Sequence, residues 1–112
     1  MVDQPVPKVT AADVERIVRR DFSAERVAEV LAILGRFAAP EPHRVRLDAL
    51  KLAAGDVARL ERTVQLASTD YRDVIAQAEY PSYMVFVPGP SQSAEAQIID
   101  ADWKQYQKWL RA

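Results

Sequence analysis

Cysteine is absent from all 112 residues. That excludes a disulfide framework, a thiolate nucleophile and a thiolate metal site. Glycine occurs three times and histidine once. The phosphate-cradling patterns GxGxxG and GxxxxGK[ST] are missing, and any histidine chemistry has to run through His43. No HExxH pattern surrounds it, and Glu41-Pro42-His43 offers two ligands at most. His43 is therefore read as a surface residue, and neither a metal nor a cofactor is expected. Long apolar runs are lacking as well. The longest apolar-rich stretch, Val27 to Leu34, contains Glu29 and is far too short to span a bilayer. Met1 to Pro7 lacks a basic segment followed by an apolar one, so no secretory leader is read there. A cytoplasmic protein without membrane contact is the expectation.

What is present reads as one folded domain. Apolar residues make up 49% and charged residues 28%, a balance that supports a core rather than disorder. Alanine and leucine are plentiful, which favours helix. The net charge of −1 gives no general attraction to nucleic acid. Between Ser68 and Asp102, however, six acids stand against Arg72 alone.

The apolar spacing predicts an all-α bundle of about six helices. A loose arm over 1–9 precedes helix 11–20, which Thr10 caps. Ser23 caps 24–37, whose wide apolar arc marks a central helix. Pro42 opens 42–54, and Gly55 stands where a left-handed residue ends it. Asp56 caps 57–67, forming an αα-hairpin with its predecessor. Asp70 caps 71–79, which Pro81 ends. Residues 82–92 form an extended loop that packs its aromatics on the bundle, with a turn at Pro88-Gly89-Pro90. Ser93 caps 94–110, where Ile99, Trp103, Tyr106 and Leu110 make the strongest amphipathic stripe and place Trp103 in the core.

Asp102 falls within the arc of that stripe. A buried carboxylate needs a partner. Arg72 is the expected one, with the hydroxyls of Tyr71 or Tyr80 as other donors. Asp70 and Asp73, three residues apart, suit a cap and the helix dipole better than a cation site. Helices 42–54 and 57–67 look superficially like a helix-turn-helix. Glu61 stands where that motif wants an apolar residue, and the acidic segment repels phosphate, so no nucleic acid is expected.

Two stretches, Asp70-Tyr71-Arg72-Asp73-Val74-Ile75-Ala76-Gln77-Ala78-Glu79-Tyr80-Pro81 and Asp102-Trp103-Lys104-Gln105-Tyr106-Gln107-Lys108-Trp109-Leu110, resemble motifs of a family of short uncharacterised bacterial helical proteins. The resemblance extends over roughly residues 43–112. It implies a bacterial helical protein with no established activity and supplies no catalytic residue. It directs attention to one cluster.

Two functions fit these residues. The first is a non-enzymatic interaction module that binds a cationic protein through an acidic-aromatic face of the fifth and last helices. Tyr71, Arg72, Asp73, Glu79, Tyr80, Asp102, Trp103 and Tyr106 would form it. The second is a small ligand binder or enzyme that uses carboxylates in an aromatic-lined pocket. Convergent carboxylates of shifted pKa around a pocket would favour the second.

Overall fold

The computed structural model describes residues 4–87, 89 and 92–112. Five α-helices carry the chain: α1 (Ala11–Asp21), α2 (Val27–Leu34), α3 (Pro42–Ala53), α4 (Val57–Glu79) and α5 (Gln92–Arg111). Among the described residues there is no strand. At α1 the expected cap is present in reciprocal form. Thr10 Oγ1 accepts the Asp13 N–H at 3.4 Å, and the Asp13 carboxylate accepts the Thr10 N–H at 2.9 Å. The second helix is shorter than its apolar span. A 3₁₀ turn (Ala24–Arg26) leads into α2, and the Ser23 side chain makes no capping bond.

The count is five rather than six because the predicted helices 57–67 and 71–79 run together as α4. Asp70 still behaves as a cap. Its dihedrals leave the helical region (φ −148°, ψ 82°), and its Oδ1 accepts the Asp73 N–H at 3.4 Å. The result is a kink, not a break. Leu60, Val64 and Ala67 before Asp70, and Val74 and Ala78 after it, are all buried. Their 4-3 spacing stays in phase across the kink, so both halves face one core.

α3 is the central helix, in place of α2. Leu47, Asp48, Ala49 and Leu50 are four successive buried residues, which requires neighbours on more than one side. It packs along α4 and against α1. Asp56 caps α4 as expected, accepting the Arg59 N–H at 3.0 Å. The α3–α4 turn needs two left-handed residues, Ala54 (φ 50°) and Gly55 (φ 83°). A Cβ on Gly55 would lie 3.1 Å from the Asp21 carbonyl oxygen at the end of α1. Gly55→Ala should therefore lower unfolding free energy by about 1–2 kcal/mol. Urea melting checks this, and an unchanged midpoint would show that α1 does not press on the turn.

The stripe on α5 is rotated from its expected position. Ile99, Asp102, Tyr106 and Leu110 are buried, and Trp103 is only half-buried. Ser93 lies inside α5 rather than at its cap. The segment from Ser82 is not fully extended, since Tyr83–Val85 make a 3₁₀ turn. Tyr83 and Phe86 stack on each other with ring centroids 6.0 Å apart and are half-buried. The predicted turn at Pro88-Gly89-Pro90 rests on residues 88 and 90, which lie outside the described residues. In the N-terminal segment, Pro7 is buried, Val9 packs on the core, and the Tyr80 hydroxyl donates to the Pro5 carbonyl.

Candidate functional site

The eight residues singled out above do not form one cluster. Tyr71 packs on Phe37 with ring centroids 6.4 Å apart, and the exposed Arg72 lies over the Tyr71 ring at 5.8 Å. The Asp73 carboxylate accepts the Gln77 amide at 2.6 Å. Arg72 lies on Tyr71 and makes no ion pair with Asp102, so the expected pairing between them is absent.

Asp102 is buried as predicted, with different donors. Its Oδ2 accepts the Tyr83 N–H at 2.9 Å and its Oδ1 the Ser82 N–H at 3.3 Å. Two backbone N–H groups at the opening of a turn offset the desolvation of the carboxylate. Close by in sequence, the Tyr83 hydroxyl donates to Glu95 at 2.6 Å. The turn is therefore fastened to α5 at two places. Its outward side chains are Met84, Val85 and Val87, which keep 45%, 75% and 83% of their surface in solvent.

Glu79 and Tyr106 belong to a second, buried arrangement. Arg44 on α3 grips Glu79 at the end of α4 with two hydrogen bonds, Nε to Oε2 at 2.8 Å and Nη2 to Oε1 at 2.7 Å. One helical turn on from Arg44, Asp48 is buried and accepts the Tyr106 hydroxyl of α5 at 2.7 Å. Its other oxygen has no donor directed at it. Burial, and then the neighbouring Glu79 carboxylate, push the Asp48 carboxyl well above the ordinary range. Two acids side by side in the core share a proton in preference to carrying two charges. Arg44 is the cation set against this pair. The Glu79 hydrogen bonds hold Arg44 well above its own usual value. Burial raises Tyr106, reinforced by Asp48. It also lowers Lys51, against the charges of Asp48 and Asp102. The network joins α3, α4 and α5.

Arg44 and Asp48 were not among the expected site residues. A signal was available, since Asp48 interrupts an otherwise apolar arc on α3 and stands four residues from a cation. His43 is half-buried rather than on the surface, with Nδ1 enclosed and unpartnered. Arg16 and Arg20 of α1 close the end of α5. Arg16 donates to the Leu110 carbonyl at 2.8 Å, and Arg20 to the Trp109 carbonyl at 2.6 Å.

Four surface hollows lie elsewhere on the described residues, and Asp73, Glu79, Tyr80 and Asp102 line none of these four. The described residues hold no group of three or more His, Asp or Glu side chains arranged for a metal ion, and no helix among them is long and apolar enough to cross a membrane. No protein-family model matches the chain, and no curated protein or solved structure matches it either.

Proposed function

We propose that this chain is a non-enzymatic interaction module that docks to a partner protein through the turn at residues 82–87. The observation that carries this reading is the contrast within the turn. Its backbone is held by a buried carboxylate, Asp102, while Met84, Val85 and Val87 point into water. Clustered exposed apolar side chains mark contact surfaces. Holding them on a fixed backbone lowers the ordering cost of binding. A cationic border on the partner is favoured by the acid-rich stretch between Ser68 and Asp102, whose Glu95 accepts from Tyr83 of the turn itself. Glu79 and Asp102, spent inside the fold, are not part of the contact. The reading of an enzyme with converging carboxylates loses support, since the acids that converge are enclosed. The likeness of the two motifs to short bacterial proteins belongs to the same proposal and adds no residue role.

Val85→Asp with Val87→Asp tests it. Both side chains are exposed, so melting should change by no more than about 0.5 kcal/mol. A stoichiometric partner captured from native lysate by the wild type should be lost by the double variant. Capture that survives the two substitutions would exclude the turn as the contact surface.

A further inference from the structure

We infer that the hollow between the N-terminal segment, α1 and α5 is a binding site for a small amphiphilic anion: a flat or acyl body carrying one carboxylate or phosphate head. The site is separate from the 82–87 turn and does not depend on it. Its volume is about 490 Å³, inside the range of roughly 300–1,000 Å³ that takes small molecules. Trp103, Leu110 and Pro5 supply apolar lining. The charged lining is Lys8, Arg16 and Arg111 against one acid, Asp13.

The charges are not equally engaged. Asp13 is committed to the Thr10 cap and lies 3.7 Å from Arg16. Arg16 is held by the Leu110 carbonyl at 2.8 Å. Arg111 meets only the neutral Gln107 amide oxygen, at 3.4 Å, and Lys8 has no ion pair among the described residues. Two cations without a carboxylate partner therefore line the same hollow as a half-buried indole. Such a pairing favours a ligand with an anionic head and a body that packs on the ring. The walls are set in advance. Tyr80 holds the Pro5 carbonyl, Pro7 is buried, and Arg16 ties α1 to α5. The rotation of Trp103 away from the core is what places its ring here.

The chain carries its own control, because its second tryptophan, Trp109, lies under Arg20 at 5.3 Å and does not line this hollow. Phenylacetate and phenyl phosphate, titrated separately into the ¹⁵N-labelled protein, should shift the Trp103 indole N–H saturably and leave that of Trp109 in place. Benzylamine, with the opposite charge, should shift neither indole. Lys8→Glu with Arg111→Glu should weaken binding by about tenfold or more with the melting temperature retained. A response to only one of the two anions supports the site and identifies its head group. The inference is overturned if neither anion binds at millimolar concentration, or if benzylamine acts equally. It also fails if inorganic phosphate binds as tightly as phenyl phosphate, or if the charge reversals leave affinity unchanged.

Discussion

Arg44→Leu should destabilise the protein by about 3–5 kcal/mol, the largest loss expected from any single polar substitution in this fold. The guanidinium is the only cation that meets Glu79 among the described residues, and its side chain keeps 14% of its surface in solvent against 2% for Glu79. Without Arg44, Glu79 remains enclosed beside Asp48 with two acceptor oxygens and no cation. The loss comes from stranding that carboxylate rather than from the attraction itself. The double variant Arg44→Leu with Glu79→Leu should therefore recover more than half of the loss, because it removes both charges and restores apolar packing. Urea denaturation of the four proteins in the cycle measures this. Additive losses, or a single variant within about 1 kcal/mol of wild type, would show that the two side chains are not coupled.

Asp48→Asn should change the pH dependence of stability more than stability itself. An unfolded Asp titrates near pH 3.9. In the fold, burial and the Glu79 carboxylate push the Asp48 carboxyl well above that. Between the two values the native state holds a proton that the unfolded state has released. Stability from this group is complete below about pH 4 and falls as pH rises towards the folded pKa, by about 1.4 kcal/mol per pH unit. Asparagine keeps an acceptor for Tyr106, and it has nothing to titrate. The stability of wild type relative to Asp48→Asn should thus decline steadily from pH 4 upward. Denaturant melts of both proteins at several pH values give the difference directly. Parallel curves would mean that Asp48 is ionised in the fold.

These effects arise at residues that helix patterning did not single out. The apolar positions of each helix were readable because a buried stripe recurs with the helical period. Thr10, Pro42, Gly55, Asp56 and Asp70 all carry local backbone roles in the places their chemistry indicates. The number of helices was misread at Asp70 for a local reason. A cap residue there looks like a beginning, yet the apolar spacing runs in phase from Leu60 to Ala78, and that was the stronger sign of a single kinked helix. Ser23 and Ser93 show the limit of the same logic: each sits near a helix start, and tertiary packing set that start elsewhere.

The buried polar chemistry was half legible. That Asp102 had to be enclosed followed from its place on the α5 stripe. Its donors did not, because a carboxylate accepts equally well from arginine, tyrosine or the backbone. The pattern on one helix cannot say which of these another segment brings near.

From the sequence alone came the class of the fold, the caps at Thr10, Asp56 and Asp70, and most of the core, since these depend on period and local hydrogen bonding within a few residues. Only the tertiary structure decided how the charges pair. Arg44 meets Glu79 across 35 positions and Tyr106 meets Asp48 across 58. Nothing in local spacing encodes such distances. Packing three helices together selects which polar groups lose water at once, and that selection brings Glu79 against Arg44 and turns Trp103 to the surface hollow.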